Sequence, residues 1–391
     1  MIREITTEDY EDIIALSEYA FQFKVADQEL NEVKRKLDNQ YILGAFDENK
    51  LHAKLHVYPL QVKIKNQVFK MGGVASVATW PEARRNRKVA SLLNESLNWM
   101  NNEEYDISYL HPFYVPFYRK FGWELICSEK TYTISKEDLI FIHNSNGTFI
   151  RKTKEDALPS LMNIYEAFSE TYNSLLIRDQ SWWQDVVLKK GEHVIIHVNE
   201  HKQEDGYMLY TVKDRELVIH EVVVLSEMSK KDFWNFICQH DSMVSTVKWK
   251  THEEDRLTLF IPNPRVKTEI HPYFMGRIVN VMRFLQKYPF YIQGENPLIL
   301  HLSDPVCTWN NGTFFLQGDS IKSFQKDNGA STNAPKKGLI MNIGILTSVL
   351  LGHSDPKKLF EIGMIQGEEQ QLNLLQELLP SSGTSLLFDF F

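Results

Sequence analysis

The sequence contains few cysteines, no long apolar run and no excess of positive charge. Its three cysteines, Cys127, Cys238 and Cys307, lie far apart and form no Cys-x-x-Cys motif, a pattern typical of reduced thiols in a cytoplasmic protein. The net charge of −8 argues against nucleic acid as a general partner and mildly favours a cationic substrate. The most apolar segment, residues 338–352, contains Asn342 and is shorter than a membrane span. We therefore expect a cytoplasmic protein that binds neither nucleic acid nor a membrane.

The chain length predicts more than one domain. A chain of 391 residues is too long for one hydrophobic core of ordinary size, and its hydrophobic content of 43% is that of a globular protein. Strand-like and helix-like patterns alternate up to about residue 150, and a second segment of the same kind extends to about residue 286. The predicted class is α/β (α+β), with two or three domains.

A strand, a basic turn and a helix follow one another in residues 74–100. Residues 74–79 are β-branched or small, Pro81 ends the strand, and apolar residues recur at helical spacing after Arg87. The turn contains four cations, Arg84, Arg85, Arg87 and Lys88. Because a helix N-terminus presents free N–H groups and partial positive charge, this turn can bind a phosphate group. An ordinary solvated basic turn explains the residues alone equally well.

An aromatic segment, residues 117–123, is predicted to form a short helix followed by a strand. Tyr118 lies among Tyr114, Phe117, Phe121 and Trp123. A phenol near pKa 10 is a suitable acid for a leaving thiolate. A tyrosine surrounded by aromatic residues is more often part of a core, with its hydroxyl satisfied, and the residues alone favour that interpretation.

The last six residues, Leu-Leu-Phe-Asp-Phe-Phe391, are too apolar for a tail that floats in solvent. If the tail packs inside the protein, desolvation raises the pKa of the terminal carboxylate and makes it a better general base. A tail that docks only for stability is the alternative, and the sequence alone leaves both open.

Four further patterns give predictions with little functional content. His193, His197 and His201 are spaced by four, which would form a metal-binding face on a helix, but the segment reads as a strand and a turn, so we expect no metal. Residues 275–285 are predicted to be helical. Asn311-Gly312 predicts a type I′ hairpin turn within residues 308–316, and residues 326–337 a polar loop.

Taken in order, these motifs resemble one family across nearly the whole chain. Thr79-Trp-Pro-Glu-x-Arg84-Arg85-x-x-x-Val89 resembles motif A of the GNAT acyltransferases of the enhanced-intracellular-survival (Eis) type. The segment around Tyr118 resembles the family's FYxxFGF/W pattern, and Arg178-Asp-x-x-Trp-Trp183 its RDxxWW pattern. The resemblance implies tandem GNAT folds followed by a sterol-carrier-protein-like domain. The implied division is 1–150 for the acetyl-CoA domain, 151–286 for a degenerate GNAT domain and 287–391 for the C-terminal domain.

The resemblance also implies an N-acetyltransferase that uses acetyl-CoA and no metal. Its general acid would be Tyr118 and its general base the carboxylate of Phe391. The implied cofactor-binding residues are Val77, Ala78, Thr79, Arg84, Arg85, Asn86, Arg87, Lys88, Val89, Ala90, Phe113 and Tyr114. The family acetylates aminoglycosides in an acidic pocket, for which Asp27, Glu29 and Asp389 are candidates, and its members form hexamers.

One position departs from the family pattern. The family has glycine where this chain has Arg87. Arginine fits there if the backbone is helical, but a positive φ at this position predicts damage to the phosphate site. Two alternatives to the enzyme follow: a CoA-binding but inactive regulator, and a lipid- or sterol-binding protein on a GNAT scaffold. For the second, the apolar stripe of Ile343, Leu346, Val349 and Leu350 would line a groove, although core packing explains the stripe better.

Overall fold

The computed structural model describes residues 1–142, 147–290, 296–318, 320–325, 337–379 and 383–391. The chain divides into two compact units. The first contains Met1–Ile126, the chain from Phe274 up to the terminal segment, and the last two residues, Phe390–Phe391; the second contains Cys127–Tyr273 and the terminal segment that ends at Asp389.

Helices and strands are interspersed along the described chain, as the predicted class requires. The strands, in chain order, are β1 Ile2–Glu4, β2 Tyr41–Asp47, β3 Lys50–Ile64, β4 Gln67–Thr79, β5 Ile107–Leu110, β6 Glu124–Leu125, β7 Ser128–Ser135, β8 Thr148–Lys152, β9 Leu175–Leu176, β10 His193–Val198, β11 Glu204–Lys213, β12 Glu216–Val224, β13 Thr246–His252, β14 Lys267–Pro272, β15 Met275–Ile278, β16 Leu298–Ser303, β17 Gly312–Gln317, β18 Ser320–Gln325, β19 Leu339–Asn342 and β20 Gln366–Gly367. The helices are α1 Tyr10–Phe21, α2 Leu30–Leu37, α3 Lys88–Asn102, α4 Val115–Arg119, α5 Lys154–Ser169, α6 Gln180–Trp182, α7 Glu227–Cys238, α8 Val281–Lys287, α9 Ile343–Leu350, α10 Pro356–Glu361 and α11 Glu369–Leu378.

The first unit is built on a sheet with the strand order β1-β2-β3-β4-β5-β15-β6. Neighbouring strands are antiparallel except β4 and β5, which are parallel and joined by α3. Helix α3 buries Leu92, Leu93, Leu97 and Met100 in the same core cluster as Ala53, Leu55 and Val57 of β3. Helix α1 buries Ile13 and Ile14 in a separate cluster that contains Ala78 of β4. Period-2 alternation thus gives the central strands two buried faces.

The second unit has its own sheet, in the order β14-β7-β13-β12-β11-β10-β8. Here β12 and β13 are the parallel pair, and α7 joins them. Each sheet contains a strand that lies far from the others in sequence. The first sheet takes β15, which lies near the end of the second GNAT-like segment, and the second sheet takes β7, which precedes that segment.

The C-terminal part of the first unit contains a third sheet, in the order β18-β17-β16-β19-β20. Helix α9 follows β19 and is buried throughout. All members of its apolar stripe are at most 2% exposed, namely Ile343, Leu346, Val349 and Leu350. The stripe is therefore core, as the sequence favoured, and its burial gives no support to a lipid groove there.

The prediction of a helix over residues 275–285 is wrong for its first half. Met275–Ile278 is a strand, and α8 begins only at Val281, after Asn280 whose side chain accepts a hydrogen bond from the Arg283 N–H. The strand inserts between β5 and β6, and Gly276 packs against Ile126 and Tyr109 with no room for a Cβ atom. Pairing on both sides therefore outweighs the local helical pattern.

The predicted hairpin turn at Asn311-Gly312 is also wrong. Thr308–Asn310 is a 3₁₀ turn, β17 begins at Gly312, and the hairpin joins β17 to β18 instead. The asparagines are held by other partners: Asn311 bonds the Asp304 backbone, and Asn310 bonds Asp304 Oδ2 and the Val279 carbonyl. Residues 326–336 of the predicted polar loop lie outside the described residues. No helix within the described ranges is both long and apolar enough to cross a bilayer.

Candidate functional site

Strands β4 and β5 run side by side and then separate. Their pairing extends from Met71 opposite Ile107 to Val74 opposite Leu110. Beyond Val74, β4 continues to Thr79 with β3 on one edge only. The other edge, over residues 75–79, has no partner strand within the described chain and presents free backbone donors and acceptors. An extended ligand with amide groups can bind such an edge as an additional strand does. We call the point of separation, at Gly73 and Val74, the fork.

A β-bulge in β4 changes the direction of the strand at the start of its free edge. On β3 the register moves by two residues, from Lys54 to His56, while on β4 it moves by three, from Ala78 to Ala75. The extra residue gives Ser76 a φ of 49°, in the left-handed region. Bulges bend a strand and often lie beside active sites. The predicted cofactor residues Val77, Ala78 and Thr79 all lie on β4 after this bulge.

The basic turn has the backbone geometry, as well as the charge, that an anion site requires. Arg85 and Arg87 have positive φ values of 65° and 56°, and alternation of this kind turns successive N–H groups toward one concavity. Helix α3 starts at Lys88 without a side-chain cap, and its first helical bond runs from the Ser91 N–H to the Arg87 carbonyl. The N–H groups of Lys88, Val89 and Ala90 are therefore free of helical acceptors. The side chains of Arg84, Arg85, Asn86 and Arg87 are exposed.

Arg87 adopts the conformation that the family's glycine would favour. Its φ of 56° and ψ of 11° lie in the left-handed region, which costs a residue with a Cβ atom about 1 kcal/mol relative to glycine. The sequence analysis left open whether this position is helical or has a positive φ, and the structure shows a positive φ. The Arg87 side chain is exposed, so its charge adds to the other cations of the turn. The arginine therefore strains the backbone of the turn, while its exposed side chain does not occupy the concavity.

Tyr118 lies in α4, which begins five residues after β5 ends at the fork. It is 2% exposed, and burial raises the pKa of its phenol above the ordinary value, so the phenol is protonated at neutral pH. Its ring makes edge contacts with Phe117 at 5.2 Å and with Phe113 at 5.4 Å between centroids. Phe113 and Tyr114 themselves are 70% and 60% exposed, an unusual exposure for large aromatic residues beside a core.

The terminal residue Phe391 also lies at the fork. Its ring is packed so closely on Gly73 that a Cβ atom there would come within 2.8 Å of Phe391 Cε2. Its other ring neighbours are Phe274, at 5.0 Å between centroids, and Tyr58 of β3, at 6.3 Å. Phe390 is 55% exposed and contacts the His111 ring at 5.1 Å. The terminal residue and the strand that leads to the basic turn therefore meet.

A pocket of about 230 Å³ lies between α1, α2 and the sheet. Tyr58, which contacts Phe391, lines it together with Ser76 of the bulge, His56 and Gln40. Most of the remaining lining is apolar, and Lys36 contributes the charged side chain. None of the described residues that line it is acidic. Asp27 and Glu29, two of the candidate acids, are exposed and follow Val25, which is part of the lining.

Behind this pocket lies a buried lysine that the sequence analysis did not identify. Lys54 is 0% exposed, and its Nζ lies 2.7 Å from His56 Nε2. His56 Nδ1 lies 2.8 Å from Gln40 Oε1, so Nδ1 carries the proton and Nε2 accepts from Lys54. Burial lowers the pKa of Lys54 to about 7 and, with the neighbouring lysine, lowers that of His56 well below its ordinary value. The Lys-x-His spacing on a strand could have revealed this pair, because alternate residues share a face.

The third candidate acid, Asp389, belongs to the second unit and is already paired. Its carboxylate accepts from Arg178 Nε at 3.1 Å and from Trp182 Nε1 at 2.8 Å. Arg178 also binds Glu221 through both terminal nitrogens, at 2.7 and 2.8 Å. Asp389 is therefore a structural anchor, and the RDxxWW motif supplies its partners.

The three histidines spaced by four do not converge. His197 lies in β10 between two carboxylates, with Nδ1 2.5 Å from Asp205 and Nε2 2.9 Å from Asp232. His201 follows the strand and is exposed. Within the ranges that the structure describes, no group of three or more His, Cys, Asp or Glu side chains could hold a metal ion.

Comparison with known proteins identifies the three parts of this chain. Residues 1–126 and 174–278 each match a model of an acetyltransferase (GNAT) domain, and residues 281–386 match a sterol carrier protein domain. No curated protein matches the sequence. The predicted fold class, two GNAT folds followed by a sterol-carrier-like domain, is confirmed.

Solved structures match over the full length. A probable N-acyltransferase from Enterococcus faecalis V583 is 25% identical, with a TM-score of 0.90 and coverage of 100% of this chain and 99% of that one. A GCN5-related N-acetyltransferase from Anabaena variabilis ATCC 29413 is 22% identical, with a TM-score of 0.85 and full coverage of both chains. Eis1 from Mycobacterium abscessus is 17% identical, with a TM-score of 0.81 and full coverage of both chains.

Proposed function

We propose that this chain, which belongs to the GNAT acetyltransferases and shares the fold of Eis1, transfers the acetyl group of acetyl-CoA to an amine in its first unit. The observation that carries the proposal is the uncapped N-terminus of α3 with its cationic turn, placed at the end of a strand with a free edge. An anion site and an amide-binding edge in series suit a ligand whose pyrophosphate continues into an amide-containing arm.

The residues fit acetyl-CoA, which supplies the acetyl thioester. Arg84 to Ala90 would hold the pyrophosphate through backbone N–H groups and exposed cations. The edge formed by Val77, Ala78 and Thr79 would hold the pantetheine arm, and the exposed Phe113 and Tyr114 would cover it. The positive φ of Arg87 favours the inactive CoA-binding regulator as the second candidate, since strain in the turn weakens the cradle.

Two groups at the fork would move the protons. The Phe391 carboxylate accepts a proton from the attacking amine as the N–C bond forms. Tyr118 donates its phenolic proton to the sulfur as the C–S bond breaks. The position of Tyr118 in α4, directly after the fork, supports the acid role, whereas the burial that raises the pKa of its phenol makes proton donation to a thiolate less favourable. The contact of Phe391 with Gly73 supports the base role because it brings the chain terminus to the fork.

The acceptor, assembly and location are proposed from the family resemblance. We propose an aminoglycoside-like polycationic acceptor, one amine of which enters the pocket beside Tyr58. Asp27 and Glu29, which follow the lining residue Val25 in the chain, would meet the other ammonium groups, since the lining itself holds no acid within the described residues. We propose a homohexamer in the cytoplasm.

A binding comparison tests the cofactor site. Acetyl-CoA should bind at least about tenfold more tightly than S-acetylpantetheine, which lacks the pyrophosphate and nucleotide. The double substitution Arg84→Ser, Arg85→Ser should remove most of this preference, whereas Lys50→Ser, at the exposed start of β3, should not. Equal affinity of the wild-type protein for the two thioesters would refute the phosphate site.

A further inference from the structure

Gly73 is not required by its backbone conformation. It lies within β4, paired with Tyr58 of β3 and Tyr109 of β5, and its φ lies outside the left-handed region that favours glycine. A glycine inside a paired strand weakens the strand unless something approaches the backbone closely. The reason for a glycine here must therefore be space.

The space above Gly73 is filled by the chain terminus. A Cβ atom at this position would come within 2.8 Å of Phe391 Cε2 and within 3.0 Å of Phe391 Cδ2 and Leu60 Cδ1. The ring is enclosed further by Phe274 and Tyr58. The neighbouring glycine serves another purpose: a Cβ atom on Gly72 would collide with Met100 of α3. Adjacent strand residues face opposite sides, so only one of the two glycines contacts the terminus.

We propose that Gly73 is the positioning residue for the terminal carboxylate. By leaving its face of β4 open, Gly73 lets the Phe391 ring pack against the strand at the fork, and the ring fixes where the carboxylate of the same residue lies. The proposal rests on the proposed function in one respect, namely that this carboxylate is the general base.

The substitution Gly73→Ala should move the terminus and spare the fold. Strand β4 is hydrogen-bonded on both sides at this position, whereas Phe391 is a chain end held by ring contacts, so the added methyl group displaces the ring. Exposure of the terminus can be measured without any enzymatic activity of this protein. Carboxypeptidase Y should release Phe391 about tenfold faster from Gly73→Ala than from wild type, because cleavage tracks the population of the open state.

Two controls separate this effect from loss of stability. Wild-type protein should lose Phe391 at least about tenfold more slowly in buffer than in a urea concentration that unfolds it and leaves the peptidase active. This comparison tests whether the packing of Phe391 on Gly73 protects the terminus, even if Gly73→Ala fails to fold. Gly72→Ala should lower the unfolding temperature through its collision with Met100 while leaving Phe391 protected in the native state. Equal release from wild type, Gly73→Ala and unfolded protein would overturn the proposal.

Steady-state kinetics then test whether the packing of Phe391 on Gly73 matters for the reaction. Gly73→Ala should lower kcat at least about tenfold and leave the KM for acetyl-CoA within about twofold, because the substitution displaces a proton acceptor and no cofactor contact. The double variant Gly73→Ala, Phe391→Leu keeps a terminal carboxylate on a smaller side chain and should recover part of kcat. A double variant slower than both single variants by the product of their effects would contradict a shared steric cause.

The two hypotheses fail in different ways. If no amine supports turnover but Gly73→Ala exposes Phe391, then Gly73 does position the terminus and the role of the carboxylate as a base is wrong. If turnover is normal in Gly73→Ala and Phe391 stays protected, Gly73 does not position the terminus, whatever the function of the carboxylate.

Discussion

The buried lysine beside the candidate pocket should destabilise the protein at neutral pH. Lys54 has a pKa of about 7 in the fold, whereas an unfolded lysine has a pKa of about 10.4. The unfolded chain therefore binds more protons between these values, so stability rises with pH across that window and is lost as pH falls toward 7. The difference corresponds to a cost on the order of 4 kcal/mol at pH 7.

The substitution Lys54→Met removes this cost. It also removes the donor to His56 Nε2, which costs about 2 kcal/mol. We therefore expect the variant to be more stable than wild type by about 2 kcal/mol at pH 7 and less stable by a similar amount near pH 10. Between these pH values the difference in unfolding free energy should change by about 1.4 kcal/mol per unit.

Urea unfolding of both proteins at several pH values from 7 to 10 measures this difference. His56 does not confuse the result, since its pKa is well below this range, and other groups cancel between the two proteins. Lys50→Met, at the exposed start of the same strand, is the matched control. A pH-independent difference for Lys54→Met would refute the lowered pKa of Lys54.

Three other predictions concern the strained turn, the terminus and the second unit. Arg87→Gly should relieve the strain of a left-handed arginine and raise the free energy of unfolding by about 1 kcal/mol. The Kd for acetyl-CoA, measured by calorimetry, should fall. An unchanged Kd would show that Arg87 does not weaken cofactor binding. One glycine appended after Phe391 should lower kcat at least about tenfold, or about 1.4 kcal/mol, and normal kcat would exclude the terminal base. Glu221→Gln should destabilise the second unit by about 3 kcal/mol in urea unfolding, because Arg178 then keeps a buried charge with one carboxylate fewer; a change below 1 kcal/mol would show that the network is dispensable.

The basic turn was predictable because its signals are local. A proline that ends a strand, a run of cations and a helical repeat all lie within residues 74–100. The conformation of Arg87 was not predictable, since arginine gives no sign of a positive φ, and only the resemblance to a glycine position raised the question. Local patterns thus predicted the strand, the turn and the helix, and left the detailed geometry of the turn undetermined.

Contacts between distant residues were the part that the sequence could not supply. Phe391 and Gly73 are 318 positions apart, and nothing in either segment identifies the other. The pairing of Met275–Ile278 with β5 depends on register and partners, and this four-residue strand is too short to show a period. The failed hairpin at Asn311-Gly312 has the same cause, because the distant Val279 carbonyl and nearby Asp304 hold the asparagines that would otherwise form the turn.

Thiol release from acetyl-CoA tests the central claim most directly. The wild-type protein would be assayed with aminoglycosides and small polyamines beside Tyr118→Phe, which keeps the aromatic packing of α4 and removes the hydroxyl. We predict turnover with at least one amine and a fall in kcat of about 100-fold in the variant, the usual contribution of a general acid. Absence of turnover with every amine, from a protein that still binds acetyl-CoA, would contradict the enzyme and leave the inactive regulator.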